Sequence, residues 1–281
     1  MATSRAGARS QPPLAGYVLH AWDWSESSLI LDVFTREQGR LAVAAKGAKK
    51  PTSNLRAVLL PFHALTLWLS RSNPEAVDEV RALRAAEWTG SAAMPVGALL
   101  PAFYLNELLL RGLGRQDPHP RLFDAYAGTL AALATATAAT AATAVTAATA
   151  ATALASNVGG VDEPAVLRAF ELVFLRELGV LPELGLVTLT AEPLHAEGRY
   201  TIRPETGVTP AADGLAGAAW IGLEAALVHG SLDALRDRCR PVAAGLRAPL
   251  RALVHYHLGT TRLRTRDVWL ETQRLAEPAC P

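Results

Sequence analysis

Starting at Gly16, a span of about 75 residues carries five short runs rich in β-branched and aromatic side chains: GYVLHAW, SLILDVFT, GRLAVAAKG, ALTLWLS and VDEVRALRAAEW. Turn-formers such as Gln38-Gly39 and Asn73-Pro74 separate them, which predicts strands joined by tight turns. One separation is too long for a hairpin. KPTSNLRAVLLPF lies between the third and fourth runs, where Asn54 or Ser53 can cap a short helix that ends before Pro61. Five strands in so short a span predict a small barrel, and a helix between strands three and four is the OB arrangement.

After Pro95 the spacing changes. VGALLPAFYLNELLLRGL sets Leu99, Phe103, Leu105, Leu109 and Leu113 on a broad apolar face, and HPRLFDAYAGTLAAL continues with Leu122, Tyr126, Leu130 and Leu133 at helical steps. EPAVLRAFELVFLRELG predicts a further amphipathic helix, with Pro164 in its first turn and Gly179 at its C-terminal cap. Between them, residues 135–158 are an Ala/Thr-rich low-complexity insertion, helical in part or disordered. Residues 184–210 contain the β-prone pieces VTLT and RYTIRPETGV and predict a small hairpin. Helices are expected at 221–229, at 231–258 with a break near Pro241 and Pro249, and at 264–276. The fold class is therefore α+β. An OB barrel over 14–90 follows a disordered tail over 1–13, and a mainly helical domain over 91–281 follows the barrel.

Composition removes several classes of function. With half of its 281 residues hydrophobic, the chain can bury a core. Cys239 and Cys280 are far apart and outside any C-x-x-C pattern, which excludes a cysteine zinc site and fits a reducing cytoplasm. The N-terminal residues lack the apolar core of a signal peptide, and no Leu/Ile/Phe-rich run could span a membrane, so a soluble cytoplasmic protein is expected. Neither a phosphate-binding loop, a Gly-x-Ser-x-Gly elbow nor a His-Glu-x-x-His pair is present, so nothing announces an enzyme, and no cofactor is expected. Of the 27 lysines and arginines only three are lysine, and all three fall between residues 46 and 50.

The residues also carry a family likeness. GYVLHAWDWSESSLILDVFTREQGRLAVAAKGAKK, LRAVLLPFHAL, YLNELLLR with DPHPRLFDAY, LRAFELVFLRELG and LRALVHYHLGTTRLRTRDVW occur in order over about residues 15 to 270. The sequence resembles the RecO family of DNA repair and recombination mediators. The resemblance implies an OB domain, a helical domain with an embedded zinc-finger-like subdomain, and binding to single- and double-stranded DNA. It further implies annealing of complementary strands, help in loading recombinase, partnership with RecR and docking of the tail of the single-stranded-DNA-binding protein. Some relatives hold zinc with four cysteines in the hairpin region. Residues 184–210 contain none here, so this subdomain is expected to be degenerate and metal-free.

Three constellations are candidates for function. Arg36, Arg40, Lys46, Lys49, Lys50 and Arg56 form a basic stretch opposed only by Glu37, and could share one edge of the barrel as a phosphate-binding array. Among nearby aromatics, Trp22 and Trp24 are the better candidates for exposure. Phe34, Phe62 and Trp68 are expected to fill the interior. A second basic set, including Arg247, Arg251, Arg262, Arg264 and Arg266, lies in the C-terminal helices and could screen a second backbone during annealing. Arg168 and Arg176, flanked by Phe170 and Phe174, place cations beside an apolar helix face, as an acidic peptide ending in an aromatic residue requires. The resemblance puts the partner's tail there, while an ion pair between Arg168 and Glu171 is the plainer alternative. Asp23, Glu26 and Asp32 are read as turn-capping, solvated carboxylates. Two rival functions stand beside the mediator: an OB-fold protein-interaction scaffold without direct DNA binding, and a nuclease built on the carboxylates.

Overall fold

The computed structural model describes residues 12–71, 80–91, 93–147, 163–260, 262–265, 267, 268 and 271, with backbone alone for 136–147. Most of the expected N-terminal tail, the Ala/Thr insertion beyond residue 147, Arg266 and the end of the last expected helix lie outside the described residues. The chain divides into two compact units: Met1–Ser91 with Leu113–Pro120, and Ala92–Gly112 with Arg121–Pro281.

The first unit is a closed five-stranded barrel of β1 (Leu14–Asp23), β2 (Leu29–Thr35), β3 (Gly39–Ala45), β4 (Leu65–Leu69) and β5 (Val80–Trp88). Its order is β1-β2-β3-β5-β4, closed by antiparallel pairing of β1 with β4; only β3 and β5 run parallel. α1 (Leu55–Val58) lies between β3 and β4, as the OB pattern predicts. Strand alternation fills the interior: Val18, Leu31, Val33, Leu41, Val43, Leu65 and Leu67 are buried together. A strap from the later chain completes this unit. Gln116 N–H donates to the Arg40 carbonyl at 2.9 Å, and Gly39, at φ +69°, lies so close that a Cβ would stand 2.0 Å from the Asp117 carbonyl oxygen. Glycine is needed there for both its backbone angle and its missing side chain.

The second unit contains α2 (Leu99–Gly112), α3 (Pro120–Ala147), α4 (Glu163–Glu177), α5 (Gly217–His229), α6 (Leu232–Cys239) and α7 (Ala243–His257). Leu105, Leu108, Leu109, Tyr126, Phe170, Phe174 and Trp220 are fully buried at its centre. The Ala/Thr insertion continues α3 as helix to Ala147. Three expectations need correction. The hairpin is part of a three-stranded sheet, with β6 (Arg199–Arg203) between β7 (Gly207–Pro210) and β8 (Leu215–Ala216). α5 starts at Gly217 rather than 221, and α7 passes through Pro249 without a break. A proline inside a helix removes one backbone bond, and α7 offsets that by burying Leu246, Leu250, Leu253 and Val254.

A carboxylate latches the segment after α7. Glu107 accepts the backbone N–H groups of Arg264 at 2.9 Å and Thr265 at 3.0 Å, and the Thr265 hydroxyl at 2.8 Å. Burial pushes this carboxyl up, but the bonds from Thr265 and Arg264 and the Arg111 charge outweigh burial and hold it below its ordinary value. A depressed folded pKa gives stability that is present above the ordinary carboxylate range and lost as pH falls through the depressed value. The Arg264 and Thr265 amides are therefore expected to be protected from hydrogen exchange at neutral pH and to lose that protection only once pH falls below the ordinary carboxylate range. Glu107→Ala, which leaves no acceptor, should lose it at every pH, once intrinsic exchange rates are corrected for.

Candidate nucleic-acid interface

Lys46, Lys49 and Lys50 follow β3 and face the turn between β1 and β2, but they do not do the same thing. Lys49 is used internally. Its ammonium donates to the Ser25 carbonyl at 3.0 Å and pairs with Asp23 at 3.1 Å, while its backbone N–H donates to the Ser27 carbonyl at 3.0 Å. The Gly47 N–H adds a bond to the Ser28 hydroxyl at 3.4 Å. These contacts tie the post-β3 loop to the β1–β2 turn and leave Lys46 and Lys50 exposed, with no carboxylate paired to either among the described residues. Trp24, Ser25, Ser27, Ser28, Lys46, Gly47 and Lys50 line an open depression of about 510 Å³ between the two loops. Trp24 is 57 % exposed. Two cations and an indole around a serine-walled hollow can hold a polyanion through its phosphates and one of its rings.

The basic stretch is not one array. Arg36 and Arg40 flank the β2–β3 turn, where Thr35 pairs with Gly39, whereas Lys46 follows Ala45, which pairs with Leu29. A seven-residue ladder separates the two ends by about 20 Å. Arg36 is exposed, and Arg56 is exposed on α1. Arg40 is mostly covered: it lies 3.6 Å from Asp32, which also pairs with Arg115 at 3.5 Å. Asp32 is therefore no solvated carboxylate. Burial raises its pKa, and the charges of Arg40, Arg115 and His20 oppose that rise. Trp22 and Trp24 are exposed, but the interior expectation for the other aromatics needs correction: Phe34 and Phe62 are buried and Trp68 half-buried, yet none of the three joins the barrel's interior cluster, because Phe34 alternates with the inward-facing Leu31 and Val33.

In the helical unit, Arg247 and Arg251 stand one turn apart on the exposed face of α7, and Arg262 and Arg264 are exposed beyond its end. The residues chosen for tail binding meet a different outcome. Phe170 and Phe174 stack 6.3 Å apart and are wholly buried, so that face of α4 is filled by the protein's own core. Arg168 pairs with the buried Glu171 at 2.8 Å, and the Tyr104 hydroxyl donates to the same carboxylate at 2.7 Å. Arg176 forms a two-pronged pair with Glu224 at 3.0 and 2.7 Å, and Glu224 also accepts the Leu184 N–H at 2.8 Å. Both arginines are built into the fold.

What the sequence reading missed lies on another face of α4. A depression of about 210 Å³ is lined by the cations Arg121 and Arg176, the carboxylates Asp124 and Glu177, and Val173, Leu227, Leu232 and Leu235, among others. Its exposed cation is Arg121, whose side chain is 65 % accessible and 3.9 Å from Glu177. The only sequence signal for it is a cation in the first turn of a helix whose only other charge is Asp124. Among the described residues no group of His, Cys, Asp or Glu could hold a metal, and no helix is long and apolar enough to cross a membrane.

Comparison with known proteins matches both units. Residues 14–90 match the family described as Recombination protein O N terminal, and residues 97–155 match Recombination protein O C terminal. A DNA repair protein RecO from Acidovorax ebreus (strain TPSY) is 46 % identical over 269 residues, covering 92 % of this chain and 96 % of the relative. One from Variovorax paradoxus (strain S110) is 48 % identical over 268 residues, covering 92 % and 95 %. Another, from Polaromonas sp. (strain JS666 / ATCC BAA-500), is 43 % identical over 282 residues, covering 98 % and 100 %.

Proposed function

The chain belongs to the RecO family of DNA repair proteins, and from that membership we propose that it is a non-enzymatic mediator: it binds DNA, anneals complementary single strands and helps load recombinase on protein-coated single strands. The observation that carries this reading is the pair Lys46 and Lys50, held beside Trp24 at one end of the barrel by the internal engagement of Lys49. Neutralising phosphates with fixed cations releases counterions and gives sequence-independent affinity. Arg247, Arg251, Arg262 and Arg264 supply a second basic surface, and two such surfaces on one protein offset the repulsion between two backbones.

For the tail of the single-stranded-DNA-binding protein, the depression lined by Arg121, Val173, Leu227, Leu232 and Leu235 fits better than the buried Phe170 and Phe174. Its aliphatic floor suits a terminal aromatic ring, and Arg121, which donates to the Leu227 carbonyl and lies 3.9 Å from Glu177, suits a carboxylate that takes the place of Glu177. RecR is the second protein partner in this reading. The cytoplasm, around the nucleoid, is the compartment where such work is done.

The purified chain is expected to accelerate annealing of complementary strands, both naked and coated with single-stranded-DNA-binding protein. With coating protein that lacks its acidic tail, the gain on coated strands should disappear while naked strands still anneal. A chain that binds partner proteins but leaves naked strands at their spontaneous annealing rate is a scaffold, and metal-dependent cleavage of the strands would make it a nuclease.

A further inference from the structure

We propose that Trp24 is a base-stacking platform, and that the depression it forms with Lys46 and Lys50 takes one unpaired nucleobase on the indole face and the neighbouring phosphates on the two ammonium groups. The proposal rests on the DNA-binding reading and goes beyond it by assigning the form of DNA that this end of the barrel selects. Three tryptophans are conspicuously exposed: Trp22 at 44 %, Trp24 at 57 % and Trp88 at 52 %. Two of them are satisfied within the protein. Trp22 packs edge-on against His20 at 4.4 Å, and Trp88 lies 5.6 Å from His63 with its indole N–H donating to Ser91. Trp24 is the one of the three with neither a ring neighbour nor an indole hydrogen bond among the described residues.

Leaving so large an apolar ring in water forgoes the stabilisation of burying it, which makes an exposed, unpartnered tryptophan informative. Nor does this one hang on a loose loop. Its backbone N–H donates to the Ser28 carbonyl at 3.2 Å, and Lys49 holds the same turn through Ser25 and Asp23. The indole is thus carried on a braced turn, so ordering it on a ligand costs little.

The surroundings choose the ligand. Ser25, Ser27 and Ser28 form the wall, Lys46 and Lys50 are the cations, and the nearby carboxylate of Asp23 is occupied by Lys49. Trp24 is the one apolar side chain among serines and lysines in the hollow, so an apolar peptide finds a single ring and no aliphatic floor to pack against. A polyanion that also carries aromatic rings finds both of its requirements. Bases in a duplex are stacked on one another and offer no free face; bases of a single strand do. Hydroxyl walls tolerate any base, so selection is by strandedness and not by sequence.

The test is equilibrium binding of the full chain to three oligonucleotides with equal numbers of phosphates: oligothymidylate, an abasic strand and a blunt duplex. Wild type is expected to prefer oligothymidylate to the abasic strand by roughly tenfold, the scale of one base stacked on one aromatic ring. Trp24→Ala should erase that preference while leaving the abasic strand and the duplex bound as before, and Trp24→Phe should keep most of it. A Trp24→Ala protein that retains the preference, or loses abasic and duplex binding equally, overturns the stacking proposal and leaves the DNA-binding reading intact. A wild-type chain that binds none of the three overturns both.

Discussion

Glu171→Ala is expected to lower the melting temperature of the full chain by about 5 °C, the shift that a loss of about 3 kcal/mol gives in a protein of this size. Glu171 is 1 % exposed, and two donors converge on it, Arg168 at 2.8 Å and the Tyr104 hydroxyl at 2.7 Å. Removing the carboxylate leaves a largely buried guanidinium without its counter-charge and a hydroxyl without its acceptor. Breaking a buried pair from one side costs about 3–5 kcal/mol. The ion pair is not a net gain from charge alone. Burial raises the Glu171 pKa against the pull of Arg168 and Tyr104, so the folded protein bears a cost for keeping this group ionised. A raised folded pKa means that this group's contribution is most favourable below the ordinary carboxylate range and falls as pH rises through the folded value. Glu171→Gln, which keeps an acceptor for Tyr104, should lose less than Glu171→Ala in the same thermal melt. Equal losses, or a shift under about 2 °C for Glu171→Ala, would contradict the buried-pair account.

Replacing Lys46 and Lys50 together by alanine is expected to weaken duplex binding about 60-fold at 0.1 M salt, if each amine neutralises one phosphate. The slope of log affinity against log salt should fall by about 1.8 for a duplex and about 1.4 for a single strand, with the same effect on every sequence. Lys49→Ala is the informative control. Its ammonium is committed to Ser25 and Asp23, so its loss should loosen the turn and lower affinity without the slope change of a lost phosphate contact. Titrations of fluorescent DNA at four or five salt concentrations separate these outcomes. A slope change for Lys49→Ala as large as that of either neighbour would mean that the clamp opens and all three lysines bind DNA.

The contrast among those lysines marks where sequence reading stops. Five strands and a helix were legible because alternation, turn-formers and a long third connection are local signals, each written within a few residues. Some carboxylate partners are local, as Glu171 is to Arg168, but those that sort the basic stretch are not. Nothing near Lys49 announces Asp23, and nothing near Asp32 announces Arg115, so a row of cations looks uniform until the barrel closes and sorts them. Periodicity showed that Phe170 and Phe174 share an apolar face of α4. It could not show that this face is filled from within, because a core and a groove leave the same stripe. Arg121 is hidden for the converse reason: no cation stands near it in sequence, and its apolar surroundings come from Leu227, Leu232 and Leu235, far along the chain. The two-residue strand β8 is too short for any propensity to mark, and Pro249 signals a break that the packing of α7 overrides.

The strap of residues 113–120 bears on how such a protein can evolve. The chain leaves the barrel near Ser91, contributes α2 to the helical unit, returns to supply Arg115 and Gln116 to the barrel, and departs again. A gene fusion that borrowed only the first 91 codons would inherit a buried aspartate stripped of one counter-ion and a glycine turn with nothing laid across it. The barrel is thus completed by residues written after α2, not by its own contiguous stretch of message.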